Sequence, residues 1–238
     1  MGPERSAAGV AAVDRALAIL GAIAASVEPL TLAELAARTG LYKSTILRLL
    51  GSLEGADYVA RLNDGRYTLG AASAALGSAY SRLNPIVLHA EAVLERLVRD
   101  GSESASLHVR HGPETRLCLI RRDSAHPTLD RVREGDVLPL DRGAAGRVLL
   151  AFTGAPGQPY EQIRADGIAH SSGEREPGCA GMASPIFTVG GALAGAISLS
   201  GPRDRFTDEM RASWGPRLIA AAAEVSTALG GHAPARPA

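Results

Sequence analysis

The sequence predicts a two-part α+β protein: a winged helix-turn-helix, a linker helix, and a C-terminal α/β domain with a mostly antiparallel sheet. Three observations carry this. Thr31 to Tyr58 reads as two short helices joined by a glycine turn. A β-hairpin pattern follows directly. From Ile86 onward, strand-like runs alternate with amphipathic helices, so one compact helical unit gives way to a layered one.

In chain order, residues 1–10 are expected to form a flexible arm, and 11–70 the winged domain. Ala11 to Ala25 is rich in Ala, Leu and Ile, with Val13, Leu17, Leu20 and Ala24 expected on its buried face. Thr31 and Glu34 have capping-box spacing, which starts the next helix: the hydroxyl takes one free N–H and the carboxylate reaches back to another. Leu32, Leu35, Ala36 and Thr39 face a core, Gly40 makes the turn, and Ile46, Leu49, Leu50 and Leu53 give the second helix its apolar face. Tyr58–Arg61 and Arg66–Leu69 flank Asn63-Asp64-Gly65, whose Asp-Gly pair favours a tight turn. Residues 71–85 are read as a linker helix, strong in Ala and Leu and ended by Asn84-Pro85.

Residues 86–230 make the second domain, followed by a loose tail over 231–238. Ile86–Arg99 is an amphipathic helix; Ser104–Arg110 and Arg116–Arg121 are strands; Leu129–Arg133 and Val137–Leu140 are extended candidates. Gly143–Phe152 and Tyr160–Asp166 are helices, and Ala183–Val189 and Leu193–Ser200 form a hairpin around Gly190-Gly191. Thr207 caps a last helix that Gly215-Pro216 should interrupt before Arg217–Leu229.

Composition bounds the function. The chain has 238 residues, 46% hydrophobic and 21% charged, with formal net charge zero, so its overall balance gives no support for a nucleic-acid partner. The segment Arg38–Arg66 holds five basic residues against three acids. That modest excess argues for a dimer that doubles the contacts over two half-sites. Cys118 and Cys179 lack metal-site spacing and are read as buried free thiols. Without a signal-peptide pattern or a run near the ~20 apolar residues that span a bilayer, the expected location is the cytoplasm.

The outward face of the second short helix presents Lys43 (the single lysine), Ser44, Thr45 and Arg48, with Leu47 at its edge. Hydroxyls and cations suit phosphate oxygens and base edges. Arg61 and Arg66 flank the hairpin tip, and Thr31 stands at the head of the first helix. These eight residues are the expected DNA-binding set. An ordinary solvated helical hairpin is the plainer alternative.

Catalytic signatures are missing. There is no G-x-G-x-x-G, no phosphate-loop lysine and no metal-ligand spacing; Ala196 excludes a nucleophile elbow at Ser198. His108 and His111 read as solvated or hydrogen-bonded side chains, not metal ligands. No catalytic residue, metal or cofactor is expected.

The sequence resembles the IclR family of bacterial transcriptional regulators. The likeness rests on Val13–Leu20, LAELAARTGLYKST (Leu32–Thr45), GRYTLG (Gly65–Gly70), LDRGAAGRVLLAF (Leu140–Phe152), SSGEREPGCAGMASPIF (Ser171–Phe187) and AISLSGPRDRFT (Ala196–Thr207). It implies a GAF-like second domain that binds a small organic acid, and a linker helix that helps to pair the DNA-binding heads. Carried over by motif, it implies Ala144 and Ala145 at a helix start, Ser171, Cys179 and Gly181 in the loop before a strand, and Ser198 and Ser200 on one strand face. The implied partners are an operator in double-stranded DNA, a small carboxylate effector and a further copy of the chain, as dimer or tetramer, with no membrane.

Several positions depart from the family pattern. Tyr42 replaces a usual Pro, Leu47 a frequent His or aromatic, and Arg147 a Lys. Ser171 stands where some members are acidic and Gly181 where some carry Cys, and the stretch between Phe152 and Gly167 is short. The reading is a homo-oligomeric, effector-controlled regulator, more often a repressor. The competing one is a metabolite-binding or catalytic α/β domain that uses its helix-turn-helix to dimerise; a third is a regulator without a ligand.

Overall fold

The computed structural model describes residues 9–126 and 130–232, so the expected arm and tail lie almost wholly outside the described residues. The chain divides into two compact units, Met1–Tyr80 and Ser81–Ala238.

The first unit begins with α1 (Ala11–Ala24) and continues through α2 (Leu32–Thr39) and α3 (Lys43–Gly55) to β1 (Val59–Arg61) and β2 (Tyr67–Leu69). Its core is Ile19, Ile23, Leu30, Leu35, Ile46, Leu50, Leu53, Val59 and Tyr67. The buried face of α1 is therefore centred on Ile19 and Ile23, while Val13, Leu17 and Ala24 are exposed. This corrects the expected face. Alanine and aliphatic residues run all round this helix, so periodicity alone admits two solutions, and packing against α2 and α3 selects one.

The capping box at α2 is complete. The Thr31 backbone N–H donates to Glu34 Oε2 at 2.7 Å, and the Glu34 N–H donates to Thr31 Oγ1 at 3.2 Å. The Thr31 backbone N–H first, then the Thr31 hydroxyl, which donates to the same Oε2 at 2.7 Å, lower the Glu34 carboxyl below its ordinary range. Gly40 ends the helix at φ 68°, a left-handed conformation that a Cβ would oppose. β1 and β2 pair antiparallel, and an isolated bridge joins Leu30 to Tyr67 on the other side. α4 (Ala71–Leu83) buries none of its residues.

In the second unit, α5 (Pro85–Arg99) starts on Pro85, which was expected to end the preceding helix. A proline fits the first helical turn because that N–H has no intrahelical partner. β3 (Ser104–His111), β4 (Thr115–Arg122), β5 (Val137–Pro139), α6 (Ala144–Ala151), α7 (Tyr160–Asp166), β6 (Ala169–Ser172), β7 (Cys179–Phe187), β8 (Leu193–Pro202) and α8 (Asp208–Ala228) follow. The six strands form one antiparallel sheet in the order β5-β4-β3-β8-β7-β6.

Alternation along the strands separates two cores. Leu107, Ile120, Met182, Ile186, Ile197 and Leu199 pack with α5 and α8, whereas Ala183 and Ala196 pack with α6 and Ile163 of α7. The second face is lined by small residues and serines, which leaves room beneath α6.

Four expectations need correction. Ser171 lies in a strand, β6, and Cys179 and Gly181 in β7, which begins four residues before the expected Ala183. Glycine and serine content disguised these strands as loop. Within Leu129–Arg133, Leu129 is outside the described residues and 130–133 form no strand; Asp130 is instead held in buried ion pairs with Arg121 and Arg175. α8 runs through Pro216 unbroken, because Leu218, Ala221, Ala222 and Val225 beyond it are buried and hold the helix to the sheet. Cys118 is buried and Cys179 half-buried, both free.

Candidate functional site

The candidate DNA-binding surface of the first unit is built on α3. Ile46, Leu50 and Leu53 point inward, which turns Lys43, Ser44, Leu47 and Arg48 outward and leaves Thr45 half-buried. Leu47 is 49% exposed and Tyr42, the N-cap residue, 85% exposed. Tyr42, outside the expected contact set, adds an exposed aromatic at the head of α3, the end that a recognition helix presents to base edges.

At the hairpin tip, Arg66 is already engaged. Its Nε donates to Asp64 Oδ2 at 2.7 Å and its backbone N–H to Asp64 Oδ1 at 3.0 Å. The Arg61 guanidinium lies 5.7 Å from the centroid of the Tyr67 ring, which orients it along the wing. Arg61 is therefore the wing cation without a carboxylate partner among the described residues. Thr31 uses its hydroxyl in the capping box.

In the second unit, one cavity of about 50 Å³ lies at the head of α6. At roughly 10–15 Å³ for each water molecule, it holds a handful of atoms. All seven residues named from the motifs line it: Ala144, Ala145, Ser171, Cys179, Gly181, Ser198 and Ser200. Register explains the convergence, since Gly181 pairs with both Ser171 and Ser200, and Ser198 with Ser106 and Ala183.

The structure adds charged residues that the motifs did not identify: Arg116, Asp130, Glu174, Arg175 and Glu176, together with His108. Arg175 donates to Asp130 Oδ2 at 3.2 Å, and Arg121 bonds the other oxygen of that carboxylate and Ser200 Oγ at 3.3 Å. Glu174 takes the Gly143 N–H at 2.9 Å and pairs with Arg147 at 2.7 Å. It thus occupies the first N–H at the head of α6; those of Ala144 and Ala145, in the opening turn, lack an intrahelical acceptor.

His108 is 4% exposed and its Nδ1 has no hydrogen-bond partner, contrary to the expectation of a solvated or bonded ring. Burial first, then Arg116, Arg121 and Arg175, push it well below the usual histidine range, so the ring is neutral. His108 and Arg116 stand on strands β3 and β4, whereas Asp130 and Glu174 to Glu176 lie between strands, the last three inside the Ser171–Phe187 motif. Among the described residues, no cluster of His, Cys, Asp or Glu is arranged to hold a metal ion, and no helix is long and apolar enough to cross a membrane.

A winged helix-turn-helix followed in the same chain by a domain with a small polar cavity defines a DNA-binding regulator with an effector domain. Residues 12–62 match the IclR helix-turn-helix domain, and 157–227 the bacterial transcriptional regulator IclR C-terminal domain. The HTH-type transcriptional regulator BhcR of Paracoccus denitrificans is 31% identical, over 95% of this chain and 89% of that one. The transcriptional repressor IclR of Escherichia coli is 26% identical, over 93% and 91%. The crystal structure of an IclR transcriptional regulator from Alicyclobacillus acidocaldarius superposes with TM-score 0.81 at 25% identity, covering 94% of this chain and 100% of that one. The chain belongs to the IclR family of transcriptional regulators.

Proposed function

We propose that this regulator is a repressor that docks α3 into the major groove of an operator, as a dimer or tetramer, and responds to a small carboxylate. The domains are assigned as 11–70 for DNA, 71–85 as linker helix and 86–230 for the effector. Lys43, Ser44, Thr45, Leu47 and Arg48 supply base and phosphate contacts; Arg61 and Arg66 follow the backbone beside them; Thr31 fixes the start of α2. The observation that carries the DNA reading is the exposed set Lys43, Ser44 and Arg48 opposite a buried apolar stripe on the same helix. The convergence of the seven motif residues on one cavity carries the effector reading. Repression is favoured by relatives such as the repressor IclR of E. coli, and work on DNA places the protein in the cytoplasm.

A carboxylate suits the cavity because free N–H groups at the start of α6 and the hydroxyls of Ser198 and Ser200 donate to anionic oxygens. It alters operator affinity only if it binds better to one arrangement of the paired heads than to another. Arg48→Ala tests the DNA contact. A lost side chain at a base edge costs about 1–3 kcal/mol of binding, read by fluorescence anisotropy, with the circular dichroism spectrum unchanged. Undiminished affinity would remove Arg48 from the interface and favour a helix-turn-helix used only for pairing subunits.

A further inference from the structure

Arg116 is a cation of the effector cavity with no anion to balance it. It is 3% exposed, and its Nη1 donates to the Pro139 carbonyl and, at 2.8 Å, to that of Arg142. Its Nε is buried without a partner. Among the described residues, no carboxylate lies within ion-pair distance. Asp141 acts on it only from farther away, and the other cavity acids have other partners: Asp130 holds Arg121 and Arg175, Glu174 holds Arg147, and Glu176 meets the Cys179 thiol at 3.7 Å. Burial, then Arg175, lowers Arg116 to about 10, which leaves it charged at neutral pH. A buried, unbalanced charge is costly unless an anion completes the site.

Its neighbour supplies the second observation. His108 pairs with Cys118 in register, two residues from Arg116 on the same face of the sheet, and its Nδ1 is also buried and unpartnered. Two of the three buried side-chain polar atoms without partners among the described residues thus belong to one pair of cavity-lining residues. A Cβ on Gly143 would lie 3.3 Å from Arg116 Nη2, so the guanidinium sits directly under the start of α6.

We propose that Arg116 is the anion anchor of this cavity, that His108 hydrogen-bonds the same ligand group, and that the ligand must carry a negative charge. This rests on the effector reading given above. The negative group lies between the guanidinium and the α6 N–H groups, which a neutral ligand of equal shape does not satisfy.

The test compares glycolate and lactate with their uncharged amides, glycolamide and lactamide, on the full-length protein by thermal shift and calorimetry. The wild type is expected to bind an acid at least about tenfold more tightly than its amide, as befits a charge-assisted contact. Arg116→Gln is expected to abolish that preference. Because Arg116 also holds two carbonyls, Arg116→Lys serves where the glutamine variant does not fold; it should keep the preference for charge while binding acids more weakly. His108→Gln should weaken both acid and amide binding. An acid preference and affinity unchanged in the Arg116 and His108 variants would overturn the anchor and leave the effector reading standing. No shift of the wild type by either acid would overturn both.

Discussion

At the scale of residues, the most informative group is His108. Its folded-state proton affinity is depressed, chiefly by burial, from an ordinary value of 6.5. Above pH 6.5 the ring is neutral in both folded and unfolded chains and burial carries no protonation penalty. As pH falls below that value the unfolded chain takes up a proton that the native one refuses. Stability therefore declines, by up to about 1.4 kcal/mol per pH unit, until the folded value is reached. His170 shifts in the same direction, so it contributes a background of the same sign. His108→Gln should flatten the loss of stability between pH 7.5 and 5.5 by about one proton's worth, measured by urea unfolding at each pH. Equal slopes in both proteins would mean that the ring is protonated in the native state. Read from sequence, His108 was one of two histidines across a strand and its turn. Nothing in that spacing reveals burial, which depends on β8 lying beside β3.

At the scale of elements, two helical glycines illustrate what context adds to propensity. Gly51 in α3 has open space where a Cβ would go, whereas at Gly146 in α6 the added carbon would lie 2.2 Å from the Leu140 carbonyl oxygen and 2.7 Å from Arg116 Nη1. Propensity alone favours alanine by about 0.5–1 kcal/mol at either place. Gly51→Ala should follow that rule and raise the melting temperature. Gly146→Ala should instead destabilise by about 1–3 kcal/mol, since backbone and a buried guanidinium must give way. A stabilised Gly146→Ala would show that α6 is free to shift away from Leu140 and that the cavity roof is loose. The helices and hairpins were legible wherever periodicity, caps or turn residues were strong, as at Thr31–Glu34, Gly40 and Asp64-Gly65. β6, the start of β7 and the unbroken α8 were not, because partner strands and a buried surface override the local signals of Ser, Gly and Pro there. The seven motif residues were legible through resemblance. Arg116, Arg175 and Asp130 belong to the cavity only through register and ion pairing, which no spacing in the chain encodes.

At the scale of the whole molecule, a neutral chain has to bind a polyanion through local charge. Lys43, Arg48 and Arg61 supply three cations in each subunit, while Arg66 is partly neutralised by Asp64. Three cations give a single subunit few phosphate contacts, so the proposed reading sets two subunits on two half-sites, with the exposed Leu76 of α4 as a candidate pairing residue. On the proposed reading, a bound effector shifts the population of paired heads, a coupling that reads in both directions: operator DNA then changes effector affinity by the same factor. The most direct test of DNA-binding regulation is the affinity of the purified protein for fragments from immediately upstream of its own reading frame, titrated with salt. About six phosphate-neutralising cations in a dimer give a log–log slope near −5, and the account predicts that slope together with a clear preference for one fragment over unrelated DNA of equal length. A shallow slope with no preference among fragments would contradict it.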